Sequence, residues 1–144
     1  MRFQFDDGGR AAAGFKGSAG DCVARAVAIA SGKPYAEVYA ALAAGSGRER
    51  GSRGKSARNG IRVGRKWFKD YMRAIGFVWT PTMRIGSGCT THLRDGELPP
   101  TGRHVVHVSK HSVALIDGVL HDTHDASRGG SRCVYGYWTM QAQP

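Results

Sequence analysis

The stretch Lys110-His111-Ser112-Val113-Ala114-Leu115-Ile116-Asp117-Gly118-Val119-Leu120-His121-Asp122-Thr123 decides the fold. Asp-Gly between two apolar, β-branched runs is a strong signal for a two-residue hairpin turn. Such a turn sets Ile116 against Val119; counting back, Val113 lies opposite Asp122 and His111 opposite His124. Side chains alternate along a strand, so His111, Val113, Asp122 and His124 share one face, while Asp125 falls on the other and Asp117 stays in the turn. Asp122 is then the diagonal neighbour of His111, ~7–8 Å away between backbones and within side-chain reach. The hairpin thus selects one carboxylate for one imidazole.

Working outward, residues 103–108, 111–116, 119–124 and 133–138 are four strand candidates, with Ser109-Lys110 as a second tight turn. They predict an antiparallel sheet. The first half of the chain has a different period. Gly20-Asp21-Cys22-Val23-Ala24-Arg25-Ala26-Val27 takes a Gly-rich loop into an apolar helix over 22–30, with Asp21 as N-cap and Gly32 just past the end. Most of that helix surface is apolar, so it is expected to be central and buried. A second helix begins near Pro34, shows Tyr35, Val38, Tyr39 and Leu42 at i, i+3, i+4 and i+7, and stops at Gly45. A third spans about 62–74, with Trp67, Phe68, Tyr71 and Met72 on its apolar face. Short strands are expected at 2–5 and 77–80, and a short helix near 91–94. Residues 45–60 hold five Gly and five Lys or Arg without a large apolar side chain, and read as a flexible basic loop. Helices first and a β-meander afterwards indicate one α+β domain over residues 1–144, N-terminal helices packed on a C-terminal antiparallel sheet.

Net charge is +10, from 21 basic and 11 acidic residues. Such an excess favours anionic partners and says nothing of fold. The three cysteines, Cys22, Cys89 and Cys133, are odd in number and form no CxxC, so neither a disulfide framework nor a zinc knuckle is suggested. A reducing compartment and packing roles for Cys89 and Cys133 are the expectation. The N-terminus lacks the apolar run of a signal peptide, and no segment approaches the ~20 apolar residues of a membrane span. A cytoplasmic location follows as an expectation, with oligomeric state and substrate left open.

The chemistry converges on Cys22, His111 and Asp122. A thiolate is the nucleophile, and a helix N-terminus with a neighbouring imidazolium stabilises it. His111 would hold that thiolate and then protonate a leaving amine; Asp122 would set the tautomer and orientation of His111. The backbone N–H of Cys22 would supply half of an oxyanion hole. Asp21, an adjacent anion, would oppose the thiolate unless its carboxylate turns to cap the helix. No cofactor is implied.

This order of Cys at a helix start, His opening a hairpin and Asp on the return strand resembles the papain-like cysteine peptidases, with the small bacterial C39-like members nearest. The resemblance implies a papain-like fold and thiol-dependent hydrolysis of an amide bond in a protein or peptide substrate. Papain-like enzymes carry a Gln about six residues before the Cys as the second oxyanion donor. Lys16 stands there in this chain, so Lys16 or Ser18 is the candidate donor; the departure leaves open a deamidase, a transferase, or an inactive fold kept for binding. The segments Cys22 to Ala26, Gly32 to Tyr35, His121 to Thr123 and Val134 to Trp138 are similar to small phage and prophage proteins, which implies a phage product in the host cytoplasm and brings no activity with it: anti-defence factor, virion component and wall enzyme all stay open.

Three other functions compete. A metal site would draw on His104/His107 and His121/His124, yet on a strand an odd separation sends the two side chains to opposite faces, so neither pair can chelate one ion. A nucleic-acid-binding module would use Arg48, Arg50, Arg53, Lys55 and Arg58 of the loop with Lys66, Lys69 and Arg73 on one face of the third helix as a phosphate track. A peptidoglycan amidase of the CHAP kind would use the same Cys–His pair.

Overall fold

The hairpin forms in the expected register. β4 (His111–Ile116) and β5 (Val119–Asp122) run antiparallel, with Ile116 opposite Val119, Leu115 opposite Leu120 and Ala114 opposite His121. Both turn residues take positive φ, Asp117 at 47° and Gly118 at 79°, as a type I′ turn requires. The Gly102 N–H donates to the Asp117 carboxylate at 2.8 Å and ties the turn to the preceding loop. Lys110, at φ 56°, makes the second tight turn, between β3 (Arg103–Val108) and β4.

The computed structural model describes residues 1–16, 20–49, 56–58 and 60–141. Its remaining elements are β1 (Arg2–Phe5), α1 (Cys22–Ser31), α2 (Tyr35–Gly47), α3 (Lys66–Ala74), β2 (Phe77–Pro81) and β6 (Val134–Met140). The strands form one six-stranded sheet in the order β1-β5-β4-β3-β6-β2. The sheet is mixed rather than wholly antiparallel: β1 runs parallel to β5, Phe5 opposite Asp122, and continues with the Asp6 N–H donating to the Asp122 carbonyl at 2.9 Å. β1 covers a β5 edge that the meander alone would leave unpaired.

Alternation divides the core into two layers. Val105, Ala114, Phe77 and Trp138 face the helices and pack on α1, α2 and the Phe68 and Met72 side of α3. Val106, Val113, Leu115 and Leu120 face the opposite way, under Leu93, Leu98 and Ala126 from the long connections. α1 is buried from Val23 through Ala30. Its C-terminus is closed twice: Gly32, at φ 73°, donates its N–H to Ala28, and Arg103 reaches over from β3 to donate to the carbonyls of Ala30 (2.8 Å) and Ile29 (2.7 Å). A guanidinium at a helix C-terminus satisfies free carbonyls and opposes the negative end of the dipole.

Several expectations need correction. α2 continues past Gly45 to Gly47; Gly45 is present because a Cβ there would overlap the Trp67 indole, so it serves packing, not termination. α3 begins at Lys66, four residues later than expected. Residues 91–94 form no helix; His92 instead makes an antiparallel bridge with Cys133. Within 45–60, residues 45–47 are helical and Ala57 is buried, so the segment contributes to the core after all; 50–55 and 59 lie outside the described residues.

The largest correction concerns the cysteines. Cys89 and Cys133 are joined as a disulfide with 5.9 Å between Cα atoms, which removes the ground for placing the chain in a reducing compartment. Spacing alone could not show this, because the loop at 82–91 must fold back onto the start of β6 before the two residues meet. Among the described residues no helix is long and apolar enough to cross a membrane. The bridged cysteines are 44 positions apart in the chain, so reduction should cost ~2–4 kcal/mol of unfolding free energy through loop closure. Urea unfolding with and without dithiothreitol measures it; coincident curves would show that the bridge adds nothing.

Candidate active site

Cys22 is the first residue of α1, His111 opens β4 and Asp122 ends β5, and the packing of α1 against β4 brings the three together. His111 Nε2 lies 2.5 Å from Asp122 Oδ2. With Nε2 committed to the carboxylate, Nδ1 is the nitrogen left for Cys22, whose thiol is close enough to the His111 ring and the Ser112 backbone N–H for both to favour its ionised form. Asp122 is held from behind by the Thr123 N–H, 2.7 Å from Oδ1, and by Arg25, whose Nη2 is 3.5 Å away.

These contacts decide the charges. Burial pushes the Cys22 thiol up, but the His111 hydrogen bond and charge, the Ser112 N–H and Arg25 together hold it below its ordinary 9.0. Burial likewise pulls His111 down, and Asp122 and Cys22 overcome it and raise the imidazole from 6.5 to about 9. Burial favours the neutral acid of Asp122, yet His111, the Thr123 N–H and Arg25 keep it below its ordinary range. His111 is therefore the charged imidazolium near neutral pH, steadied by a carboxylate, and it favours the thiolate form of Cys22.

Asp21 does not cap α1 with its side chain. Its carboxylate is buried and engaged by Arg25 one turn on, by Arg10 Nε at 3.0 Å and by the Tyr35 hydroxyl at 2.5 Å. Two guanidinium groups balance the anion that sequence reasoning set against the thiolate. Burial and the nearby Asp21 push the Tyr35 phenol up, so it remains a donor to that carboxylate. Arg25, buried and touching both Asp21 and Asp122, is the functional residue the sequence reading passed over. Its signal was present: a lone Arg on an otherwise apolar, buried helix needs a carboxylate partner.

A cleft of about 430 Å³ opens beside the thiol, lined by Cys22, His111, Val23, Ile61, Val63 and Tyr135 among others. Lys16 is exposed and does not line it, while its carbonyl accepts from Arg10 at 3.2 Å. Ser18 lies outside the described residues. The Cys22 backbone N–H lies in the first turn of α1, where helix N–H groups lack an intrahelical acceptor.

The histidine pairs divide as strand geometry requires. His104 contacts Thr139 Oγ1 (2.9 Å) and the Thr101 carbonyl (2.7 Å), whereas His107 packs against Phe68 and Trp138 on the other side of the sheet. His121 meets Asp6 at 3.3 Å. A different trio does assemble: donor atoms of His111, Asp122 and His124 lie within 4.8 Å of one another, the same-face set of the hairpin register. Arg25 beside Asp122 and the raised proton affinity of His111 both oppose a cation there.

Arg48, Arg58, Lys66, Lys69 and Arg73 are exposed and none lines the cleft; Arg50, Arg53 and Lys55 lie outside the described residues. Asp70 pairs with Lys66 at 2.6 Å and with Arg73 at 3.5 Å, which halves the phosphate track expected on α3. Phe68 is fully buried and the Trp67 indole N–H donates to Glu49 at 2.8 Å, so neither ring is presented for base stacking. Comparison of the chain with protein-family models, curated proteins and solved structures finds no match.

Two predictions follow from this geometry. In a proton NMR titration His111 should keep its charge through neutrality and lose it near 9; Asp122→Asn removes the favourable partner and should lower that midpoint, and an unchanged midpoint would deny the pairing. Arg25→Met removes the cation that two buried carboxylates share, leaving Asp21 to Arg10 and Tyr35 and Asp122 to His111 and Thr123, and should lower unfolding free energy by about 1.5–3 kcal/mol in urea. A loss under ~1 kcal/mol would show that the carboxylates find other partners or are solvated.

Proposed function

We propose that this protein is a thiol-dependent amide-bond hydrolase of papain-like design. The observation that carries it is the relay from Cys22 through His111 to Asp122, closed by the 2.5 Å Nε2–Oδ2 contact. The Cys22 thiolate attacks the substrate carbonyl carbon, and the carbonyl oxygen takes the electron pair beside the Cys22 backbone N–H. As the tetrahedral intermediate collapses, the C–N bond breaks and His111 gives its Nδ1 proton to the leaving amine. A water molecule then attacks the thioester, His111 taking its proton, and the carboxylic acid leaves with the thiolate restored. Asp122 stays ionised and keeps His111 oriented.

The missing Gln equivalent points to modest rather than high turnover, since removing one oxyanion donor costs ~10²–10³-fold in related chemistry. A phage or prophage setting, with action in the host cytoplasm, is supported by the sequence resemblance alone. The same pair would also serve a peptidoglycan amidase, so peptide amides and cell-wall fragments are both substrates to try.

The test is the pH dependence of Cys22 alkylation by iodoacetamide. Labelling should be fast already near pH 6 and should become slow in His111→Ala, rising only near the free-thiol value of ~8.5. Slow labelling of the unaltered chain, indifferent to His111→Ala, would mean an inert thiol and a binding protein. Salt-dependent association with nucleic acid would be measured next.

A further inference from the structure

The floor of the cleft holds a buried polar relay that the reaction does not use. The Trp138 indole N–H donates to His107 Nε2 at 3.2 Å. An indole N–H can only donate, so His107 Nε2 must offer a lone pair. Burial holds His107 down at about 4, so the ring is neutral and its single proton sits on Nδ1. That Nδ1–H faces Ser112 Oγ at 2.7 Å and donates to it. The direction of the whole relay is set by its first member: Trp138 to His107 to Ser112.

Ser112 is left with a hydroxyl proton and, among the described residues, no acceptor for it. Ser112 is 3% exposed and lines the cleft, so an acceptor reaches its hydroxyl only from within the cleft. Ser112 and His107 both line the cleft next to Cys22, and the Ser112 backbone N–H contacts the Cys22 thiol. A hydroxyl donor fixed by the relay therefore lines the same cleft as the Cys22 thiol. Around it the walls are apolar: Val23, Ala57, Ile61, Val63 and Val108.

We propose that Ser112 determines specificity: the cleft accepts a substrate side chain that is apolar along its length and ends in an acceptor oxygen, which takes the Ser112 hydroxyl proton. A side chain ending only in donors, as in lysine or arginine, meets donor with donor, and Lys110 at the lining adds like charge. A purely aliphatic chain fits the walls and leaves the hydroxyl unpaired, the mismatch that polar sites reject most strongly. This specificity rests on the hydrolase reading, because it assigns the cleft to the substrate of Cys22.

The test uses two small molecules of the same shape, acetophenone, which carries an acceptor oxygen, and α-methylstyrene, which does not. Their dissociation constants are measured on the full chain from the shift of the Trp138 indole N–H resonance. Ser112→Ala should weaken acetophenone about fivefold and leave α-methylstyrene within about twofold. An equal response of the two ligands to the substitution, or no shift with either, overturns the proposal. The tautomer is checked on the unaltered chain by long-range proton–nitrogen spectra: His107 protonated at Nδ1 is expected, and protonation at Nε2 would reverse the relay and overturn the proposal without any variant. Neither readout involves thiol chemistry, so its failure is distinct from slow iodoacetamide labelling.

Discussion

Arg25 bridging Asp21 and Asp122 is the contact on which the site depends. Asp21 precedes α1 and Asp122 ends β5, so one guanidinium links the helix that begins at Cys22 to the strand that pairs with His111's. Arginine suits this place because its planar fork donates to two carboxylates at once and is weakly hydrated for a cation. Arg10 and Tyr35 complete the Asp21 end, Thr123 and His111 the Asp122 end. The result is a buried sequence of alternating charge: Asp21, Arg25, Asp122, His111, Cys22.

Alternation is what makes the sequence affordable in free-energy terms. Each ion taken from water costs several kcal/mol, whereas two opposite charges ~4 Å apart gain about 4 kcal/mol at an effective dielectric near 20. A charge with a partner on each side recovers most of its penalty; a terminal one does not. Cys22 is the terminal member. Its charged form is favoured by His111 on one side and otherwise by the Ser112 N–H and the more distant Arg25. An ion network gains little stability over apolar packing, and here four ionisable residues lead to one thiol.

The hairpin was legible because its logic is local. Asp117-Gly118 determined the turn, the turn determined the register, and alternation placed His111 and Asp122 on one face before any tertiary contact was known. Cys22 at a helix start was equally local, through Gly20 and the apolar run after it. What escaped depended on distance. Arg25 appeared as one charge in an apolar helix because its partners are Asp21, a turn back, and Asp122, on a strand almost a hundred residues on. The Cys89–Cys133 bridge and the parallel pairing of β1 likewise join segments that share no local pattern. Gly45 misled for a related reason: glycine looks the same in sequence whether it ends a helix or makes room for Trp67. β5 ends at Asp122, two residues short of the expected strand, so His124 lies beyond the pairing that was used to place it, and its ring lies 5.0 Å from that of His111.

The disulfide and the cleft meet at β6. Cys133 anchors the loop at 82–91 to the residue before β6, and the Thr82 and Met83 N–H groups both donate to the Tyr135 carbonyl, at 3.1 and 3.2 Å. Tyr135 lines the cleft, and Trp138, three residues further along the same strand, starts the relay to Ser112. One wall of the cleft is therefore held in place by a covalent bridge on its outer side and the relay on its inner side. The opposite wall, Ala57, Ile61 and Val63, lies between α2 and α3 in the chain. Ser112 stands on β4, one strand beyond β3 from β6, and the relay through His107 ties its hydroxyl to Trp138. Discrimination by a single hydrogen bond requires that arrangement, because a donor mounted on a yielding wall would follow any ligand instead of selecting among them.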